Sequence, residues 1–149
     1  MDLTHDELAG IVDLFGALSR DELLNALSEL AYREGREFDE TESAAAVDEA
    51  VDGYHLVEYD DLLVAGPTAF PTLPANAEDL PHIMDVEERT VDREALGERT
   101  RERLRADADA ALEDGDGDRL ETLIDVSYDV EAWSPVSLDE MRADLDRRG

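Results

Sequence analysis

The stretch His55-Leu56-Val57-Glu58-Tyr59-Asp60-Asp61-Leu62-Leu63-Val64-Ala65 sets two short runs of strand-forming side chains about a polar pair. Asp60-Asp61 between such runs reads as a hairpin tip. The residues before it read as helix three times over, and three helices followed by a hairpin is the element order of a winged helix.

Immediately upstream, a third helix is expected from about Asp39 to about Gly53, with Ala44, Val47, Ala50, Val51 and Tyr54 spaced to face inward. The turn Gly35-Arg36-Glu37-Phe38 separates it from a second helix. That second helix opens with Ser19 and Glu22 in capping-box spacing and carries the apolar stripe Leu23, Leu24, Leu27, Leu30 and Ala31. The first helix opens the same way, with Thr4 and Glu7, and continues through Leu8, Ile11, Val12 and Phe15 to Gly16, placed to end it in a left-handed conformation. Leu3-Thr4-His5-Asp6-Glu7-Leu8 and Leu18-Ser19-Arg20-Asp21-Glu22-Leu23 thus resemble each other as two helix starts, without any need for duplication.

Downstream, residues 66–91 hold four of the five prolines. Proline fixes φ and removes a donor, so Gly66-Pro67-Thr68-Ala69-Phe70-Pro71-Thr72-Leu73-Pro74 and Leu80-Pro81-His82-Ile83-Met84 are expected to be neither helical nor central in a sheet. Phe70, Leu73, Leu80, Ile83 and Met84 are too apolar for a free linker and are expected to pack across the domain surface. From about Asp92 a helix resumes through Leu96, Leu104, Ala108, Ala111 and Leu112 to the break Asp114-Gly115-Asp116-Gly117-Asp118. A short helix over Leu120, Leu123 and Ile124, an extended patch from Val126 to Trp133, and a final helix capped by Ser137 with Glu140 complete the expectation. The fold class is therefore mainly α with a small β-hairpin: a winged-helix-like domain over 1–65, a proline-rich surface-packed connector over 66–91, and a helical C-terminal part over 92–149.

Charge bounds what this fold can be for. The chain of 149 residues sets 41 acidic residues against 13 basic ones, every one an arginine, for a net charge of −28. Like charges repel over a Debye length of about 30 Å at 0.01 M salt but about 3 Å at 1 M, so the composition suits a molar-salt cytoplasm with K+ as non-specific counterion. With 42% hydrophobic residues a core is still affordable. No run approaches the ~20 apolar residues of a membrane span, and Met1-Asp2-Leu3-Thr4-His5-Asp6-Glu7 lacks the cationic and apolar regions of a signal peptide, so a cytoplasmic location and no membrane partner are expected. The absence of cysteine excludes disulfides, thiolate zinc sites and cysteine nucleophiles.

The helix-turn-helix candidate would present Glu42, Ala45, Ala46, Glu49 and Asp52 outward from its recognition helix. DNA binding neutralises phosphates and reads bases with donors such as arginine or an amide, and this face offers neither. It is a candidate partner-binding face for protein. Arg93, Arg99, Arg101, Arg103 and Arg105 form the one basic concentration; Glu98 and Glu102 stand three residues before Arg101 and Arg105, the spacing of surface ion pairs. Arg99, Arg101, Arg103 and Arg105 are nonetheless the candidate anion-binding residues. The acidic glycine turn resembles the start of an EF-hand loop, but Arg119 stands where glycine is required and Asp125 where a bidentate glutamate is. His5, His55 and His82 show no metal-ligand spacing, and His82 beside Asp79 and Asp85 is the one local cluster an enzyme could use. Trp133, with Tyr128 and Val130, reads as a contact docking the C-terminal part to the core. No nucleophile elbow, P-loop or dinucleotide fingerprint occurs.

Leu8-Ala9-Gly10-Ile11-Val12-Asp13-Leu14-Phe15-Gly16-Ala17-Leu18, the proline-rich Gly66–Pro74, Glu78-Asp79-Leu80-Pro81-His82-Ile83-Met84-Asp85 and Tyr128-Asp129-Val130-Glu131-Ala132-Trp133 resemble a family of short, acidic, uncharacterised haloarchaeal proteins, a domain of unknown function. The resemblance spans nearly the whole chain and implies a halophilic, cytoplasmic protein. It implies no activity, cofactor or catalytic residue. The expected role is a non-enzymatic regulatory or adaptor protein that binds a protein partner, itself or another, with no cofactor, catalytic residue or metal ligand. The alternative is a winged-helix DNA-binding transcription regulator; a third reading is a small metal-dependent or hydrolytic enzyme centred on His82.

Overall fold

The computed structural model describes residues 3–148. Among them are seven helices and one three-stranded antiparallel sheet, so the chain is mainly helical. It divides into two compact units at Val91/Asp92.

The first unit runs α1 (His5–Phe15), β1 (Leu18–Ser19), α2 (Arg20–Arg33), α3 (Glu40–Asp52), β2 (Leu56–Tyr59), β3 (Leu62–Ala65) and α4 (Leu80–Met84). Both expected capping boxes form: the Thr4 and Ser19 hydroxyls accept from the backbone of Glu7 and Glu22, whose carboxylates accept from the cap residues' N–H groups. Asp39 caps α3 by accepting from the Glu42 N–H at 3.0 Å. Leu8, Ile11, Val12 and Phe15 of α1 meet Leu23, Leu27 and Leu30 of α2 and Val47 and Ala50 of α3 in one core, closed by Leu56 and Leu63 of the sheet. On α3 the inward stripe differs in detail from expectation. Val47, Ala50 and the following Tyr54 are buried, but so is Ser43, while Ala44 and Val51 are only half-buried.

The hairpin closes about the expected Asp60-Asp61 tip, with Leu56 opposite Ala65 and Tyr59 opposite Leu62. Asp60 (φ 48°) and Asp61 (φ 66°) both take positive φ, as a two-residue hairpin turn with the strands' own twist demands. Leu18 and Ser19 add a third strand against Leu63 and Leu62, giving the spatial order β1-β3-β2. Two residues carry no readable alternation, so this strand is invisible to periodicity.

Residues 66–91 run along α1. Near its start the Phe70 N–H donates to the Asp6 carboxylate at 3.0 Å and the Thr72 N–H to the Asp6 carbonyl at 3.1 Å; near its end the Arg89 N–H reaches the Phe15 carbonyl at 2.8 Å. Two glycines of α1 make room. A Cβ on Gly10 would stand 2.1 Å from the Thr72 carbonyl oxygen, and one on Gly16 1.8 Å from that of Arg89. Gly16 has φ 85° and ψ −46°, so its φ is positive as expected but it lies outside the left-handed helical basin, and the Arg89 N–H takes the Phe15 carbonyl at the helix end. The expectation that this segment holds no helix is corrected by α4. Pro81 sits in its first turn, where the missing N–H would have had no partner anyway. Packing is also narrower than expected: Ala77 and Leu80 enter the core and Met84 packs against it, whereas Phe70 is 80% exposed and Leu73 and Ile83 are about as exposed as they are covered.

The second unit consists of α5 (Arg93–Asp114), α6 (Gly117–Trp133) and α7 (Asp139–Arg148). Asp92 caps α5, Gly115 ends it in the left-handed conformation (φ 68°, ψ 25°), and Asp116 caps α6 by accepting from the Arg119 N–H at 3.0 Å. The acidic glycine turn is thus a tight helix-to-helix link. The expected extended patch over Val126–Trp133 is corrected: it is the continuation of α6, because Leu123, Val126, Ser127 and Val130 recur at helical spacing and all are buried. Leu96, Leu104, Ala108 and Ala111 of α5, Leu123, Val126 and Val130 of α6, and Leu138, Met141 and Leu145 form the buried apolar set of this unit. The Ser137–Glu140 box is corrected as well, since the Ser137 hydroxyl accepts from the Asp139 N–H at 3.4 Å and the Leu138 N–H is taken by the Glu131 carboxylate at 2.8 Å.

Candidate partner-binding surface

α3 is helical because Asp39 caps it and alanines fill it, and its outer side is acidic because every residue not needed for the core is short or anionic. Glu42, Ala45, Glu49 and Asp52 are exposed as expected, whereas Ala46 is half-buried and packs against the core, so the face narrows to four of the five residues. Beside it, the hairpin adds exposed Glu58, Asp60 and Asp61. One cation intervenes. Arg20, at the start of α2, donates to Asp48 of α3 at 2.7 Å and to Glu58 of β2 at 3.3 Å, tying helix and hairpin into one surface. Sequence reasoning missed this role, although Arg20 is the first cation in the chain and stands among acids.

Arg89 is a second residue of this unit whose place was not foreseen. Its guanidinium holds both Glu22 oxygens, at 2.5 and 3.0 Å, and donates to the Ala17 carbonyl at 3.1 Å. The hydrogen bond from Arg89, against a smaller opposing effect of burial, lowers the Glu22 carboxyl to about 2. This pair anchors the far end of the 66–91 segment beneath the start of α2.

In the second unit the candidate anion-binding arginines separate. Arg101 and Arg105 line a groove of about 670 Å³ together with Glu102, Ser137, Glu140 and Met141, while Arg99 and Arg103 are not among its lining residues. Arg101 pairs with Glu98 as its spacing predicts. Arg105 does not take Glu102; it reaches Asp144 of α7 at 2.5 Å and Asp109 at 3.7 Å, and Arg148 joins the same two acids, so these charges fasten α7 to α5. Arg103 pairs with Asp107 at 3.6 Å, and Arg99 is exposed. Arg142, a cation not singled out from sequence, binds Glu131, Asp139 and Ser127 and lies 4.1 Å from the centre of the Tyr128 ring. Trp133 packs beneath Arg93, 4.7 Å from its guanidinium carbon, and Val130 is buried in the same unit.

The histidines do not remain apart. His5 and His55 bring their rings to 5.0 Å between centres, whereas His82 is exposed on α4 and its backbone N–H bonds the Asp79 carbonyl. Asp79 itself is 3.8 Å from Arg33, and Asp85 ends α4 in the left-handed conformation. No helix among the described residues is long and apolar enough to cross a membrane.

A family model described as "Family of unknown function (DUF7109)" matches residues 6–149. The chain belongs to this family. The match runs through both compact units, so the family is defined by the two together. No curated protein and no solved structure matches the chain.

Proposed function

We propose that this DUF7109 member is a non-enzymatic regulatory or adaptor protein of a high-salt cytoplasm, such as that of haloarchaea, and that its first unit is a winged-helix-like domain turned to protein binding. The element order α1-β1-α2-α3-β2-β3 with strands arranged β1-β3-β2 supports the winged-helix reading. The observation that carries the functional reading is the joined acidic surface of α3 and the hairpin: where a DNA reader would present arginine or amides, it presents Glu42, Glu49, Asp52, Glu58, Asp60 and Asp61, and Arg20 is engaged by Asp48 and Glu58. Such a surface complements arginine side chains or open backbone donors on a partner protein. The lysine-free, strongly acidic composition supports the saline setting.

A photo-activated cross-linking residue at exposed Ala45, introduced in the native host at its growth salinity, tests this. The expected product is an adduct sensitive to protease and resistant to nuclease, absent when the same residue is placed at exposed Glu121 on α6 and diminished by Glu42→Arg. An adduct removed by nuclease would replace the reading with its alternative, a winged-helix DNA-binding regulator, which the strand and helix order by itself also favours.

A further inference from the structure

Of the three phenylalanines, Phe15 lies in the core and Phe38 packs against it, whereas Phe70 is 80% exposed. Pro71, Thr72 and Leu73 after it are exposed as well. This ridge is held in place: Asp6 takes the Phe70 N–H on its carboxylate and the Thr72 N–H on its carbonyl, the Thr72 hydroxyl donates to the Phe70 carbonyl at 2.9 Å, and the missing side chain of Gly10 lets Thr72 lie directly on α1. We propose that the protein self-associates through the ridge: Phe70 of one copy seats in the groove of about 670 Å³ that Arg101, Arg105 and Met141 line on a second copy, and the contact, made reciprocally, closes a dimer.

Ridge and groove match in shape chemistry and in charge. An aromatic side chain on a backbone already fixed costs little conformational entropy on binding, which is what makes such residues interface anchors. The groove offers that ring a thioether and two guanidinium groups, each a favourable neighbour for an aromatic face or edge. The chain uses the second pairing twice within itself, with Arg142 4.1 Å from the centre of the Tyr128 ring and Arg93 4.7 Å from that of Trp133. Asp6 places a carboxylate oxygen 3.0 Å from the Phe70 nitrogen, so an acid borders the ridge. Arg101 and Arg105 hold Glu98, Asp109 and Asp144 with only part of the five donors that each guanidinium carries. Glu102 and Glu140 balance these two arginines, so a second copy of a chain of net charge −28 meets a groove lining with no net charge. In molar salt the long-range repulsion between copies is screened, while burial of the ring is not an electrostatic gain and survives. The contact uses neither α3 nor the hairpin, so it stands apart from the proposed partner-binding face.

Sedimentation equilibrium of the full-length protein in molar KCl, over a range of protein concentrations, reads the association directly. A monomer–dimer equilibrium is expected. Phe70→Asp should weaken it ~10-fold or more, the scale of an anchor residue, as should Ser137→Trp, which fills the groove from an exposed position. Tyr32→Asp, at an exposed aromatic outside the ridge, should leave it unchanged. All three positions are exposed, and near-UV circular dichroism checks that each variant is folded. Phe70→Asp keeps its groove and Ser137→Trp keeps its ridge, so an equimolar mixture of the two should form more dimer than either alone. A wild-type chain that stays monomeric or grows beyond a dimer, association untouched by a folded Phe70→Asp or Ser137→Trp variant, equal loss in Tyr32→Asp, or a mixture no better than its parts would overturn the proposal. Each of these leaves the α3 reading to its own cross-linking result.

Discussion

Glu22 closes the capping box of α2 and grips Arg89 with both oxygens. Its carboxyl is lowered from 4.5 to about 2, so its contribution to stability is complete above the ordinary carboxylate value and is lost as pH falls from there toward 2. Glu22→Gln should therefore cost ~1–2 kcal/mol near neutrality and flatten the acid limb of the stability curve; urea melts across that range measure both, and an unchanged acid limb would contradict the pairing. The capping half of this arrangement is legible in the sequence because cap and glutamate are three residues apart. The Arg89 half is not, since nothing local links residue 89 to residue 22. Gly10 makes the same point: within α1 it looks like an ordinary concession in helix propensity, and its reason is the Thr72 carbonyl against its Cα. Gly10→Ala should destabilise by ~1–3 kcal/mol, as overpacking does, where an open helical site would gain from alanine. A rise in Tm for this variant would show that the 66–91 segment does not lie against α1.

Helices with caps and apolar stripes announce themselves, and α1, α2, α3 and α5 begin where their cap residues stand. α6 is harder because its second half, Val126-Ser127-Tyr128-Asp129-Val130, alternates in the manner of a strand and uses strand-forming residues. Packing overrides that pattern: Leu123, Val126, Ser127 and Val130 share one buried side, while Tyr128 is 57% exposed and shielded by Arg142. The start of this helix rests on Asp116, so Asp116→Ala should cost about 1 kcal/mol and lower hydrogen-exchange protection in the first turn of α6; equal protection in the variant would contradict the cap. α4 was hidden for the opposite reason, a proline in a place where a helix tolerates one. The acidic α3 face was visible in sequence almost entire, lacking only the burial of Ala46 and the bond of Arg20 to the hairpin.

A net charge of −28 on 149 residues makes folding a question of salt as much as of core. Near-UV circular dichroism should show tertiary structure gained between about 0.1 M and about 3 M KCl as the Debye length falls, and a fold equally complete and heat-stable at the low end would remove the high-salt setting from the proposal. The choice of partner turns on the same variable with the opposite sign. A nucleic-acid binder gains affinity as salt falls, with a slope of about −0.9 in log K against log salt for each phosphate neutralised; association with another net-acidic protein persists at high salt, because the long-range repulsion between the two is screened along with the local attraction of the partner's arginines for the α3 face. Retention of genomic DNA fragments by the folded protein, followed down the salt series, separates the two. The proposal predicts no sequence-specific retention at any salt that keeps the protein folded. Specific retention that strengthens as salt is lowered, and that is abolished in a folded variant with Arg99, Arg101, Arg103 and Arg105 replaced by glutamine, would contradict it.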